Sequence, residues 1–245
     1  MSARNRGTAR ERRGAVPSPI LGPVIGALLL GVMLAACSSA APPAATSRWE
    51  PDIQAFEAAD QEHPPAPGGV LFVGSSSIRM WETLEEDFEG LPVLNRGFGG
   101  SQMSDVVEFA DRIVLPYRPR AIVVYAGDND LWEGDTPQQV LEDFQSFVRI
   151  VHAELPETPI AYIAVKPSVA RWSIVDRIRE TNDLIRRFTE TDPRLEFIDI
   201  YTPMLRSDGT PDPALFIEDG LHLNARGYDL WESIVEPVVR KMAGS

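Results

Sequence analysis

Cysteine and histidine are both scarce in this chain. Its 245 residues include one cysteine and three histidines. A single cysteine cannot form a disulfide within the chain, so a disulfide-stabilised fold is excluded. The shortage of histidine limits nucleophilic chemistry, because a serine nucleophile usually needs an imidazole within hydrogen-bonding distance to take its proton. Chemistry of that kind must use His63, His152 or His222.

Basic residues are also few relative to acidic ones. The chain has 23 Lys and Arg against 36 Asp and Glu, which gives a formal net charge of −13 at pH 7. Five of the arginines lie within the first 13 residues, so the remainder of the chain is still more acidic. Phosphate backbones are bound mainly by Lys and Arg, so nucleic acid is not expected as a partner.

The amino terminus predicts export and a lipid anchor. Its arginines precede an apolar run from Ile20 to Ala36, which is typical of a signal peptide covering residues 1–36. The run ends in Leu-Ala-Ala before Cys37, and this resembles the bacterial lipobox, in which the cysteine carries the lipid. The resemblance implies an extracytoplasmic lipoprotein on a bacterial membrane. Two alternatives are a plain secretory signal with Cys37 incidental, and an uncleaved membrane anchor.

The rest of the chain predicts a short tether and one α/β domain. Residues 37–48 are small, polar and Pro-rich, as in flexible linkers, and the domain is predicted at 49–245. Apolar runs of strand length alternate there with amphipathic helical stretches. This alternation predicts a three-layer α/β/α fold with a five-stranded parallel sheet. The predicted strands are Val70–Val73, Val93–Asn95, Ala121–Tyr125, Ile160–Val165 and Leu195–Ile198, and the predicted helices are Pro51–Gln61, Ile78–Phe88, Ser104–Ile113, Pro137–Leu155, Arg171–Thr189 and Ala225–Met242.

Three polar or glycine positions follow predicted strands. Ser76, Gly100 and Asn129 each come shortly after a different strand. Ligand sites of open parallel sheets lie beyond the carboxyl ends of the strands, so these residues are expected at a common rim.

Among the histidines, His222 has a carboxylate, Asp219, three residues before it. A carboxylate at one ring nitrogen would set the tautomer and leave the other nitrogen free to act as a base.

Four sequence blocks together resemble the SGNH (GDSL-type) hydrolase family. They are LFVGSSSIRMW, NRGFGGSQ, GDND and DGLH, in that order along the chain. The resemblance implies a flavodoxin-like fold, a nucleophile at Ser76, a base at His222 oriented by Asp219, and an oxyanion hole formed by Ser76, Gly100 and Asn129. One position departs from the family pattern, since Ser75 stands where an Asp usually precedes the nucleophile. Ser77 is therefore kept as a second candidate nucleophile.

The resemblance implies a serine esterase that acts on carboxylic or thio esters. We expect short acyl or acetyl esters of a small molecule, a glycan or a lipid, with no metal and no organic cofactor. The alternative is a non-catalytic binding lipoprotein of the envelope that retains the fold.

Each block alone has a simpler interpretation. The serines could cap a helix, GDND could be a turn, and Asp219 with His222 could form a surface ion pair. Trp81, Trp132, Trp172 and the loop 166–168 could line a pocket or pack in the core.

Overall fold

The computed structural model describes residues 47–244. The predicted signal peptide, Cys37 and most of the predicted tether lie outside the described residues, so those assignments stay predictions. Every helix within the described range is too short or too polar to span a bilayer.

Five parallel strands form one central sheet in the order β2–β1–β3–β4–β5. The strands are β1 (Val70–Gly74), β2 (Val93–Gly97), β3 (Ala121–Tyr125), β4 (Ile160–Ile163) and β5 (Leu195–Ile198). This order is that of flavodoxin-like doubly wound sheets, and the predicted fold class is confirmed. β1 and β3 are buried along their whole length, which explains their unbroken apolar sequences.

Helices cover both faces of the sheet. One core lies between the sheet and α4, α5, α7 and α8, where Ile122 and Val124 pack with Phe144 and Ile185. The opposite core contains Val123 and Tyr125 of the same strand with aromatic and aliphatic side chains of α9. The helices are α1 (Glu50–Glu62), α2 (Ser76–Arg79), α3 (Leu84–Asp87), α4 (Met103–Glu108), α5 (Ala110–Ile113), α6 (Asp128–Glu133), α7 (Pro137–Glu154), α8 (Val175–Thr189) and α9 (Ala225–Ala243).

Two predicted helices are broken in the structure. The stretch predicted as one helix from Ile78 to Phe88 forms the short helices α2 and α3. The turn between them places the Trp81 ring in the core, 5.8 Å from the Phe72 ring, so this tryptophan is a core residue. The stretch 104–113 is likewise divided at Phe109 into α4 and α5. Packing of single aromatic side chains therefore decides where these helices end.

The GDND segment forms the start of a helix. Gly127 adopts φ 108° and α6 begins at Asp128. Asp130 accepts hydrogen bonds from the backbone N–H of Gly127 at 3.0 Å and of Met103 at 2.7 Å. A turn satisfies only local backbone groups, whereas Asp130 also ties α6 to the start of α4. This contact is long-range and is not visible in the local sequence.

The turn between β1 and α2 depends on Gly74. Its φ is 140°, and a Cβ at this position would lie 1.8 Å from the carbonyl oxygen of Tyr125. We predict that Gly74→Ala lowers the free energy of unfolding by about 3 kcal/mol or more. The added Cβ would push β1 away from β3, and these two strands cannot separate without losing the hydrogen bonds between them.

Gly134→Ala is the matched control for this substitution. Gly134 also has a positive φ, 122°, but nothing lies within 4 Å of an added Cβ. Gly134→Ala should lower the free energy of unfolding by about 1–2 kcal/mol, from backbone strain alone. Urea denaturation of both variants measures the difference, and equal losses would contradict the steric explanation.

Candidate active site

Ser76 lies where β1 turns into α2. It is the first residue of the helix, so its backbone N–H has no acceptor within that helix. Among residues 47–244, no other group accepts a hydrogen bond from this N–H. The tight turn thus presents both the hydroxyl and the amide of Ser76 at the carboxyl edge of the sheet.

A loop before α9 brings His222 and Asp219 to the same edge. His222 Nε2 lies 3.0 Å from Ser76 Oγ, and His222 Nδ1 lies 2.6 Å from Asp219 Oδ2. Asp219 Oδ1 also accepts hydrogen bonds from the backbone N–H groups of Leu221 and His222. Burial would raise the pKa of Asp219, but these hydrogen bonds outweigh it and lower the pKa to about 2. The carboxylate is therefore ionised at neutral pH and able to orient the imidazole.

Gly100 and Asn129 approach from two further loops. Gly100 has φ 81°, a conformation that favours glycine, and within the described chain its N–H makes no hydrogen bond. The Asn129 side chain donates one hydrogen bond from Nδ2 to the carbonyl oxygen of Ser101 at 2.9 Å. An amide nitrogen carries two N–H groups, so one remains for another acceptor.

These residues line a common cavity of about 370 Å³ at the carboxyl edge. The wall of the cavity is formed mostly by polar and charged side chains. Its lining residues are Asp52, Ser76, Arg79, Gly99, Gly100, Asn129, Arg171, Leu221 and His222. Six segments far apart in sequence line this space, and together they bring a hydroxyl, an imidazole and several N–H donors around it.

Comparison with known proteins agrees with this arrangement. The model of the GDSL-like Lipase/Acylhydrolase family matches residues 68–230, a span that contains both Ser76 and His222. This chain belongs to that family. It is a hydrolase of the esterase and lipase type, and the predicted family is confirmed.

Individual relatives are more distant. Platelet-activating factor acetylhydrolase IB subunit alpha1 from Homo sapiens is 28% identical over 186 residues, which cover 74% of this chain and 78% of the human protein. A GDSL-like lipase from Bacteroides thetaiotaomicron superposes with a TM-score of 0.67 at 19% identity, over 78% of this chain and 98% of that one. A catalytic mutant of Axe2, an acetylxylan esterase from Geobacillus stearothermophilus, superposes with a TM-score of 0.55 at 14% identity, over 74% and 95% of the chains. The two structures support the fold alone.

The other candidate serines and the other two histidines of this acylhydrolase do not take part in the contact between Ser76 and His222. Ser77 is buried, and its Oγ accepts a hydrogen bond from Lys166 Nζ at 3.1 Å. Ser75 is fully buried, and its Oγ has no hydrogen-bond partner among the described residues. His152 Nε2 contacts the carbonyl oxygen of Thr158, and His63 caps the end of α1. Of the candidate serines, Ser76 is the one in contact with an imidazole in the described structure.

A buried cluster of charges lies beside the cavity. Lys166 is 1% exposed, and its ammonium group donates to Asp128 Oδ2 at 2.8 Å, Tyr125 Oη at 2.9 Å and Ser77 Oγ. Arg171 Nη1 lies 3.3 Å from the same Asp128 oxygen. Burial would raise the pKa of Asp128, but the two cations outweigh it and lower the pKa. The cluster therefore consists of two cations around one carboxylate, and Asp128 Oδ1 and Arg171 Nη1 have no hydrogen-bond partner among the described residues.

Sequence reasoning missed Arg171, which lines the cavity and donates a hydrogen bond to Asn129. It was predicted as the first residue of a helix, whereas the structure places it in the loop after β4, just before a short 3-10 turn at Trp172–Ile174. The available signal was its position after a strand, at the edge where Ser76 and Asn129 were also expected. The sequence allows Trp132 either to line a pocket or to pack in the core, and the structure leaves this residue 51% exposed, so it does not pack in the core.

Proposed function

We propose that this acylhydrolase cleaves short acyl esters through an acyl-enzyme formed on Ser76. The observation that carries the proposal is the continuous contact from Ser76 Oγ through His222 to Asp219 Oδ2, with separations of 3.0 Å and 2.6 Å at the wall of the cavity. An aligned hydroxyl, imidazole and carboxylate are the three groups that acyl transfer by a serine requires.

Each group has a defined step in this mechanism. His222 Nε2 accepts the proton of Ser76 as Oγ bonds to the ester carbonyl carbon, and Asp219 stabilises the imidazolium that results. The imidazolium then donates that proton to the alkoxide leaving group, which releases the alcohol and leaves the acyl group on Ser76. Water repeats the sequence with His222 as base, and this releases the carboxylic acid and restores the serine.

The tetrahedral intermediates carry a negative oxygen that must be stabilised. We assign this role to the free N–H groups of Ser76 and Gly100 and to the remaining N–H of Asn129. All three residues line the cavity that contains the His222 imidazole. Loss of one such donor typically slows turnover by about 10²- to 10³-fold.

The cavity supports a short acyl group and a polar alcohol. Among the described residues that line it, Leu221 is the one large aliphatic side chain, whereas Asp52, Arg79 and Arg171 are charged. Each buried methylene of an acyl chain gains about 0.8 kcal/mol only where it meets apolar surface. Two relatives are named for the removal of acetyl groups, from platelet-activating factor and from xylan. Acetyl esters are therefore the substrate class that we propose here.

Ser76→Ala and His222→Ala are predicted to abolish ester hydrolysis. Removal of a residue of this kind leaves only binding and oxyanion stabilisation, so we expect at least about a 10⁴-fold loss of kcat on p-nitrophenyl acetate. Circular dichroism should show an unchanged fold, since both side chains lie at the surface of the cavity.

Ser77→Ala is the matched control for the nucleophile. A fluorophosphonate probe reacts only with an activated serine, and it should label the wild type and Ser77→Ala but not Ser76→Ala. Labelling of Ser76→Ala would move the nucleophile to another residue. A wild-type protein that neither reacts with the probe nor turns over any ester would contradict the acyl-enzyme mechanism.

Chain length gives a separate prediction. With p-nitrophenyl esters from acetate to palmitate, we expect kcat/KM to be highest for acetate or butyrate and to fall for octanoate and palmitate, because Leu221 is the one large aliphatic side chain among the described residues that line the cavity. An optimum at palmitate would contradict the short-acyl assignment while leaving the mechanism intact. The measurement is the initial rate below the critical micelle concentration of each ester.

We also propose that the protein is anchored to a bacterial membrane by a lipid on Cys37. This proposal rests on the sequence of the amino terminus alone. In cells that express the full chain and receive labelled palmitate, the protein itself should become labelled. Cys37→Ser should abolish both the labelling of the protein and its recovery with membranes. Equal labelling of Cys37→Ser would contradict the proposal. Ser76→Ala, which leaves the amino terminus unchanged, is the control.

A further inference from the structure

Arg171 contacts the proposed oxyanion donor directly. Its Nη2 donates a hydrogen bond to Asn129 Oδ1 at 2.8 Å. The Arg171 side chain is 11% exposed and lines the cavity that contains Ser76. Arg171 lies in the loop after β4, and Asn129 follows β3. The contact therefore joins the segments after these two strands at the carboxyl edge of the sheet.

This contact selects one orientation of the Asn129 amide. A guanidinium can only donate hydrogen bonds, so the group that faces Arg171 must be the amide oxygen. The carbonyl oxygen of Ser101 can only accept, so the group that faces it must be the amide nitrogen. A flipped amide would place a donor against Arg171 and an acceptor against Ser101. Both partners therefore hold the second N–H of Asn129 in a single direction.

The guanidinium is itself held in place by buried charges. Nη1 lies 3.3 Å from Asp128 Oδ2 in an ion-pair contact without a hydrogen bond, whereas Lys166 and Tyr125 donate hydrogen bonds to that oxygen. Two cations around one carboxylate leave one positive charge in the cluster, next to Asn129. Asp130 is buried close by, but burial raises the pKa of Asp130 to about 7, so it offsets this charge only in part near neutral pH. These ionic contacts fix the guanidinium in place beside the Asn129 amide.

We propose that Arg171 is a positioning residue that sets the Asn129 amide for the oxyanion. The proposal rests on the function given above and goes beyond it, because Arg171 acts through Asn129 and not on the substrate. Misplacement of one catalytic group can cost about 10²-fold in rate, whereas the ground-state ester makes little use of the oxyanion donors. Loss of Arg171 should therefore lower kcat and leave KM nearly unchanged.

A double-mutant cycle between Arg171→Met and Asn129→Ala tests the proposal. The four forms of the full chain are compared for kcat and KM on p-nitrophenyl acetate, which is neutral. We expect Arg171→Met to lower kcat by about 10- to 100-fold and Asn129→Ala by about 10²- to 10³-fold. Once Asn129 is absent, removal of Arg171 should change kcat by no more than about twofold.

Arg179→Met is the control for loss of an arginine. Arg179 forms a surface ion pair with Asp176 and is half-exposed, outside the cavity lining. It should keep the wild-type kcat. Thermal unfolding of every variant checks that the assays are made well below the melting temperature. If Arg171→Met does not fold, the cycle is made with Arg171→Lys, which keeps the charge beside Asp128 but loses the planar fork of two donors.

Three results would overturn the proposal. The first is an unchanged kcat in the Arg171 variant, and the second is a fold-loss of kcat in the double variant equal to the product of the two single fold-losses. The third is a rise in KM of the Arg171 variant with constant kcat. The last result would indicate that Arg171 binds the substrate directly. Failure of the proposed function is distinguishable, because the wild type would then show no turnover and no fluorophosphonate label, whereas failure of this inference alone leaves an active, labelled wild type.

Discussion

Parallel hydrogen bonding of all five strands is the constraint on which the site depends. In a parallel sheet, every loop that follows a strand leaves from the same edge. Ser76 follows β1, Gly100 follows β2, Asn129 follows β3 and Arg171 follows β4, so all four meet there without any close sequence relation. His222 arrives from the longer segment between β5 and α9. The chemistry of the family is therefore gathered by sheet topology, and each loop contributes one or two groups.

The buried charges beside the cavity carry a desolvation cost that their mutual contacts offset only in part. Removal of a lysine and a carboxylate from water is unfavourable unless both are paired and fully hydrogen-bonded. Lys166 uses all three of its N–H donors, and Asp128 Oδ2 accepts from Lys166 and Tyr125 and lies against Arg171. Asp128 Oδ1 and Arg171 Nη1, by contrast, are buried without a hydrogen-bond partner among the described residues. Such a network has few alternative arrangements. It joins the loops after β3 and β4 to one another, and the proposed oxyanion hole requires such a connection because its donors must be in place before the charge develops.

Much of the architecture could be predicted because it depends on local pattern. The apolar runs of β1 and β3 are continuous since both strands are buried, and the long helix α7 has the spacing of apolar residues that one buried face requires. The breaks at Trp81 and Phe109 could not be predicted in the same way. They depend on where an aromatic side chain finds space in the core, and that space is formed by distant parts of the chain.

The sequence by itself determined the fold class, the family and the pairing of Asp219 with His222, because these depend on periodicity, block order and a spacing of three residues. The contact of the His222 imidazole with Ser76 and not with Ser77, and the hydrogen bond between Arg171 and Asn129, were decided only by tertiary structure. Adjacent serines are chemically alike, and the backbone turn at Gly74 sends one toward His222 and the other toward Lys166. A hydrogen bond between residues 42 positions apart has no local signal, because it arises only when β3 and β4 lie side by side.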